Sequence, residues 1–245
     1  MTGVSPAIQT AALSKRYGST TAVESLSLDI APGTVYGFLG PNGAGKTTTM
    51  RMLTGLVAPT DGEAQVAGIH VENRRELVEK VCLLPEEPPL YTELTGREQL
   101  RFAADLRDIP WERVADRALE LCDRLALTED LDRRIDGYSK GMRRKTALVQ
   151  AVQHDPDVVF LDEPTSGLDP RAAKTLRELV VDIGTDATVF LSTHILPVVE
   201  EIADEVGVLY DGELVASGPP ATLVDRDDGD LEDAFLELTS RDDWE

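Results

Sequence analysis

The stretch "PGTVYGFLGPNGAGKT", residues 32–47, decides how this chain is read. Pro32-Gly33 makes a turn, and the apolar residues after it read as a short buried strand ending near Leu39. The next eight residues, Gly40 to Thr47, fit G-x-x-x-x-G-K-[ST] at every fixed position. A helix is expected from Lys46 to about Leu56. Strand, glycine-rich loop and helix in that order serve one end. The glycines let backbone N–H groups turn inward around phosphate oxygens, and the helix N-terminus adds the positive end of its dipole. Lys46 would reach the β- and γ-phosphates, and the Thr47 hydroxyl would ligate Mg²⁺. The pattern implies a nucleoside triphosphate and leaves the enzyme open.

A second stretch, "VVFLDEPTSGLDP" (158–170), supplies the acids such a site needs. Four apolar residues run into Asp162 and Glu163, the pattern of a buried parallel strand whose C-terminal end lies where α/β proteins place ligands. Asp162 would hold Mg²⁺ through water. Glu163, one step further out, would polarise an attacking water. "FLSTH" (190–194) puts His194 just past another buried strand, beside the same sheet edge and within reach of a γ-phosphate.

Around these stretches the chain alternates. Residues 7–30 hold two partly exposed antiparallel strands, "IQTAAL" and "TAVESLSLDI". "EAQVAGI" (63–69) reads as a strand, 73–80 as a short helix, and "VCLL" as a buried strand stopped by Pro85. Residues 95–127 are mostly helical: Thr95 and Glu98 form a capping box, and Pro110 breaks the run before "WERVADRALELCDRLAL". Strand and helix then alternate again: strands at 157–161, 187–191 and 205–210, helices at 170–182 and 197–203. The fold class is therefore α/β, a mostly parallel sheet core with an N-terminal antiparallel β subdomain and an inserted α-helical subdomain. Residues 1–245 form one domain: 1–87 and 155–224 the nucleotide-binding core, 88–154 the insertion, and 225–245 an acidic tail whose "LEDAFLEL" is a short docking helix.

Composition narrows the function. The chain has 45 acids and 24 bases, a formal net charge of −21. Such acidity excludes a general nucleic-acid binder, because phosphate backbones are repelled. It also looks like the proteome of a salt-loving organism, where screening suppresses self-repulsion. No apolar run approaches the roughly 18 residues of a membrane span, and the N-terminus does not read as a secretory signal. Cys82 and Cys122 lie far apart in no metal-ligand spacing, which suits a reducing cytosol.

Taken in order, these motifs resemble the ATP-binding subunit of ABC transporters, a P-loop NTPase fold, over essentially the whole chain. The resemblance implies that Tyr17 stacks on adenine and that Gly40, Pro41, Asn42, Gly43, Ala44, Gly45, Lys46, Thr47 and Thr48 form the Walker A contacts to ATP. Residues 158–163 match the Walker B strand, Glu163 the catalytic carboxylate and His194 the switch histidine. "SGLD" (166–169) matches the D-loop, with Asp169 at a dimer seam. Metal ligands are then Thr47, Glu86 and Asp162. Two positions depart from the family pattern. "LLPEEP" offers Glu86 where the family commonly has Gln, which adds negative charge beside phosphates. The signature reads Tyr138-Ser139-Lys140-Gly141-Met142 in place of Leu-Ser-Gly-Gly-Gln.

Both departures, with "PPLYTELTGREQL" (88–100), resemble the drug- and sodium-export-like branch. The resemblance implies a homodimer or heterodimer of nucleotide-binding subunits around two ATP molecules, with Mg²⁺. It also implies a separate integral membrane permease, no nucleic acid, and a peripheral place at the cytoplasmic face of the membrane. An importer subunit and a soluble, non-transport ABC-type ATPase are the alternatives.

One cluster asks for its own account. "GYSKGMRRK" (137–145) concentrates Lys140, Arg143, Arg144 and Lys145 in an acidic chain. Ser139 can N-cap a helix there, which puts four cations at the positive end of its dipole. Ser139, Lys140 and Gly141 would face the γ-phosphate bound by the opposite subunit. Arg143, Arg144 and Lys145 need not touch it, and a pairing with the abundant acids stays open.

Overall fold

The computed structural model describes residues 5–223 and 235–236. In chain order the elements are β1 (Ile8–Tyr17), β2 (Thr20–Ile30), β3 (Val35–Leu39), α1 (Lys46–Leu53), β4 (Asp61–Val66), β5 (Ile69–His70), α2 (Arg74–Lys80), β6 (Val81–Leu84), α3 (Gly96–Asp105), α4 (Trp111–Arg124) and α5 (Lys140–Val152). There follow β7 (Val158–Asp162), α6 (Pro170–Gly184), β8 (Thr188–Thr193), α7 (Leu196–Ile202), β9 (Glu205–Tyr210), β10 (Glu213–Gly218) and α8 (Pro220–Leu223).

The strands make two sheets. An antiparallel sheet runs β2-β1-β4-β5, and a six-stranded sheet runs β10-β9-β3-β8-β7-β6. In the larger sheet every neighbouring pair is parallel except β10 with β9. Its central strands are buried along their whole length, as parallel strands covered on both faces must be. Alternation divides the faces. Phe160 and Phe190 point to the side covered by the antiparallel sheet and α1, with Ile8, Leu13 and Phe38. Val159, Leu161, Val189 and Leu191 point to the other side, where they meet Leu148 of α5 and Leu176 of α6. Phe190 is central, with ring centroids of Phe38 and Phe160 at 5.0 and 5.6 Å. Each such fully buried side chain contributes about 1.5–3 kcal/mol of burial free energy.

Register positions the chemistry. Leu39 pairs with Thr193, Asp162 with Ser192, and Leu84 with Leu161. The C-terminal ends of β3, β8, β7 and β6 therefore finish at one edge, and the loops after them emerge together.

The helices between β6 and β7 begin as their sequence predicts. Thr95 accepts from the Glu98 N–H, and the Glu98 carboxylate accepts from the Thr95 N–H at 2.8 Å, closing the capping box. Pro110 separates α3 from α4. Three expectations need correction. Helix α1 stops at Leu53 rather than about Leu56, because the chain turns out through Gly55, which has φ 67°. "EAQVAGI" is two strands, since Ala67-Gly68 turns β4 back into β5 with both residues at positive φ. The larger sheet also gains a strand beyond those expected, β10, which Asp211-Gly212 turns back onto β9 as a hairpin. Most of "LEDAFLEL" lies outside the described residues; Phe235 packs against Leu39, Val199, Val206 and Val208, while Leu236 is exposed.

Candidate active site

The loop after β3 folds over the start of α1. Gly45 caps that helix at φ 107°, and a Cβ there would strike the carbonyl oxygen of Ala22. Only glycine fits both constraints. Lys46, buried, donates to the carbonyls of Gly40 (2.6 Å) and Pro41 (3.1 Å) and lies 3.8 Å from the Glu163 carboxylate. Burial pulls its ammonium below its ordinary pKa, while Glu163, Asp162 and Glu86 act in the opposite sense. A buried ammonium bonded only to neutral carbonyls, apart from the carboxylate at 3.8 Å, is electrostatically set to receive anionic oxygens.

The two acids stand opposite. The Thr47 hydroxyl donates to Asp162 Oδ2 at 2.8 Å, and the Ser192 hydroxyl donates to Asp162 Oδ1. Thr47, Asp162 and Glu86 line the same cleft and offer only oxygen donors, the chemistry of a hard cation that keeps water and phosphate ligands. Glu163 is buried, and its backbone takes φ 47°, uncommon for a residue with a side chain. The turn aims its carboxylate back over the sheet edge. His194 Nδ1 lies 2.8 Å from Glu163 Oε1, and the Thr193 hydroxyl donates to Oε2 at 3.3 Å.

The cleft itself has a volume of about 330 Å³. Of the residues named from sequence, Asn42, Gly43, Gly45, Lys46, Thr47, Thr48, Glu86, Asp162 and Glu163 line it. Gly40, Pro41 and Ala44 build the loop behind it: a Cβ on Gly40 would meet the Leu209 carbonyl, Pro41 O accepts from the Ala44 N–H, and Ala44 is buried. His194 reaches the cleft through Glu163. Tyr17, half-exposed at the end of β1 with the Lys15 ammonium 5.2 Å from its ring centroid, is not among the lining residues. Ala22 of β2 is, and no sequence signal singled it out.

Ser139, Lys140 and Gly141 do not line this cleft either. Ser139 caps α5, accepting from the Met142 N–H at 3.2 Å. Lys140 is exposed and lies against the 166–169 loop, where a Cβ on Gly167 would collide with its ammonium. Tyr138 is buried and donates to the Asp130 carbonyl at 2.6 Å, which anchors the segment. Asp169 caps α6, accepting from the N–H groups of Arg171 and Ala172 at 3.0 Å. The Ala172 N–H, then that of Arg171, hold its carboxyl below the ordinary range.

The cation cluster has an unexpected account. Arg143 donates to the Asp136 carbonyl, Lys145 to the Leu125 carbonyl, and Arg144 to five main-chain carbonyls. The described ion pairs include none of these three. The abundant acids thus do not explain the cluster; orphan carbonyls do.

Strand, glycine loop, helix, and an acid pair at the neighbouring strand end together define a P-loop nucleoside triphosphatase. Comparison with known proteins makes this more specific. Residues 23–166 match the family described as ABC transporter. The chain is 36% identical over 219 residues to the bacitracin transport ATP-binding protein BcrA of Bacillus licheniformis, covering 88% of this chain and 71% of that one. It is 40% identical over 221 residues to the daunorubicin/doxorubicin resistance ATP-binding protein DrrA of Streptomyces peucetius, covering 89% and 66%. A solved ATP-binding subunit of an ABC transporter superposes with a TM-score of 0.86 at 29% identity, covering 94% of this chain and 98% of that chain. The chain belongs to the ABC transporter family as an ATP-binding subunit, the part that hydrolyses ATP to power transport.

Proposed function

We propose that this chain binds and hydrolyses ATP with Mg²⁺ as one of two nucleotide-binding subunits, and that it drives a separate membrane permease in the export direction. The observation that carries the reading is the convergence at one sheet edge of Lys46, Thr47, Asp162, Glu163 and His194, joined by the 2.8 Å contacts Thr47–Asp162 and His194–Glu163. In this scheme Lys46 exchanges its two carbonyl partners for phosphate oxygens. Glu163 accepts a proton from the attacking water, and His194 holds the carboxylate in place. Thr47 and Asp162, with Glu86 close by, would hold the metal, which when bound neutralises phosphate charge. Tyr17 would meet the adenine.

The signature complements this from outside. Ser139, Lys140 and Gly141 present a capped helix N-terminus to solvent, the polarity an anion would meet. We assign them to the ATP held by a second subunit, with Asp169 near the seam. The chain then acts as a single cassette, 1–245, in which 88–154 form the helical insertion.

Export is supported by relatives named for bacitracin transport and for daunorubicin and doxorubicin resistance. Among the described residues no helix is long and apolar enough to cross a membrane. An apolar cleft of about 350 Å³ between the core and the helical insertion, lined by Leu56, Val78, Pro88 and Leu106, suits a permease segment at the cytoplasmic face. Leu56 and Leu106 are among its exposed apolar residues. Co-expression with a multi-helix membrane protein encoded beside it tests the reading. Co-purification and ATPase stimulation by that protein are expected. Activity unchanged by any such protein would favour the soluble ATPase, and substrate accumulation instead of efflux would favour the importer.

A further inference from the structure

Arg144 lies one turn inside α5, five residues after the Ser139 cap, and is 5% exposed. A guanidinium has five N–H donors in a rigid planar fork. Here all five are used, each on a main-chain carbonyl. Nε donates to Pro164 (3.1 Å), Nη1 to Pro85 (2.8 Å) and Glu86, and Nη2 to Asp162 (2.7 Å) and Glu163. These carbonyls need a partner for a topological reason. The β6–β7 ladder ends at Leu84 and Leu161, so the segments that continue past it lose their mutual hydrogen bonds while still partly buried. Arg144 replaces the missing rungs. Burial lowers its pKa, and the Asp162, Glu86 and Glu163 carboxylates oppose that shift, so the cation also neutralises the acid edge.

The consequence is mechanical. The peptide units that carry Glu86, Asp162 and Glu163 are bonded to the helix whose first residues form the signature. A cavity of about 220 Å³ at this junction is lined by Glu86, Lys140, Arg143, Arg144 and Ser166, so the two regions meet there. We propose that Arg144 is a positioning residue, which ties the signature end of its own subunit to the carboxylates of that subunit's ATP site, so that engagement of a partner's nucleotide by Ser139 sets Glu163 and Glu86. This rests on the two-subunit reading above.

The test uses Arg144→Lys, which keeps the charge but has three donors on a flexible stem and cannot span five carbonyls. In the otherwise unchanged chain, kcat should fall on the order of 10²-fold, the usual cost of displacing a catalytic group by about an ångström. ATP affinity of the separate subunit, read by equilibrium titration, should stay within about threefold, because Lys46 and the glycine loop are untouched. In a Glu163→Gln background, dimer formation is followed by size-exclusion chromatography as Mg²⁺-ATP is titrated. The added Arg144→Lys change should raise the ATP needed for half-maximal dimer by about tenfold or more, a coupling of ordinary allosteric size.

If Glu163→Gln alone never dimerises with ATP, the two-subunit reading fails. If it dimerises and the double variant does so at the same ATP concentration, the coupling is overturned. An unchanged kcat overturns it as well. So does a loss of kcat matched by loss of ATP affinity and of a cooperative melt in both Arg144→Lys and Arg144→Gln, since Arg144 would then be only structural.

Discussion

The phosphate-loop edge and the signature helix are built on opposite plans. At the loop, the central charged groups already have partners within the chain: Lys46 has two carbonyls, Asp162 has the Thr47 and Ser192 hydroxyls, and Glu163 has His194. At the signature, Ser139 and Lys140 are exposed, and the α5 N-terminus is capped by the Ser139 hydroxyl. In the proposed pair, one region is a finished half-site and the other a surface whose role is completed by a second body. The difference teaches where each should fail on mutation. Changes at the loop edge should alter nucleotide binding in an isolated subunit, and changes at the signature should alter nucleotide chemistry only in the assembly.

The largest effect expected at the finished half is on turnover. Glu163→Gln keeps shape and removes the base, so kcat should fall on the order of 10²–10⁴-fold while equilibrium ATP binding is retained. A kcat within a fewfold of the native value would remove Glu163 from the reaction and erase the contrast. Lys46→Ala acts on the other variable. Hydrogen bonds to a charged group are worth about 1.5–3 kcal/mol, so ATP affinity should drop roughly 10- to 100-fold; native affinity in a binding titration would contradict the phosphate assignment.

Lys46 also gives the loop edge a pH signature. Burial holds its ammonium pKa below the ordinary lysine range in the free chain. Bound phosphates would favour the ammonium and raise that pKa. Affinity should therefore be full below the lowered value and fall as pH rises through it, by at most about tenfold per pH unit. Lys46→Arg, which stays charged, should show no such slope between pH 7.5 and 10. A slope that survives this substitution belongs to another group.

How much of this contrast was legible depends on which physics wrote it. The loop edge obeys local rules: a glycine motif, an apolar strand ending in Asp162-Glu163, and Pro85 ending β6 are each visible within a dozen residues. The Thr95–Glu98 capping box is equally local, and so is the hairpin at Asp211-Gly212. Arg144 is different. Nothing within "GMRRK" separates it from Arg143, because its five acceptors lie at and just past the ends of β6 and β7, 18–59 residues away in sequence. Tertiary closure of an orphaned sheet end selects the arginine, where composition left acid pairing open. Ala22 was invisible for a similar reason, since its carbonyl matters only because Gly45 approaches it.

Charge sharpens the contrast at the assembly level. In the proposed pair, two bodies at −21 meet face to face. Screening lengths are about 10 Å at 0.1 M salt and roughly 2 Å at 2 M. ATP-driven dimers of Glu163→Gln should therefore form severalfold more readily in 2 M KCl, while nucleotide binding to the separate subunit moves far less. Equal dimerisation at both salts would show that the acidic surface lies away from the seam.

The smallest effect is the most discriminating. Ser139 has a role inside the subunit, as the cap of α5, and a proposed role outside it. Ser139→Ala should cost about 1 kcal/mol of stability through the lost cap, whereas Ser139→Gly should cost only a few tenths. Denaturant unfolding of the isolated subunit measures that difference directly. Turnover of the assembled pair should fall in both variants, since both lack the hydroxyl, and ATP affinity of the mutated chain's own loop should fall in neither. Turnover that tracked stability instead, preserved in the glycine variant and lost in the alanine one, would make Ser139 only a helix cap. The signature would then be structural, and the surface left open in the single chain would have to find its partner elsewhere.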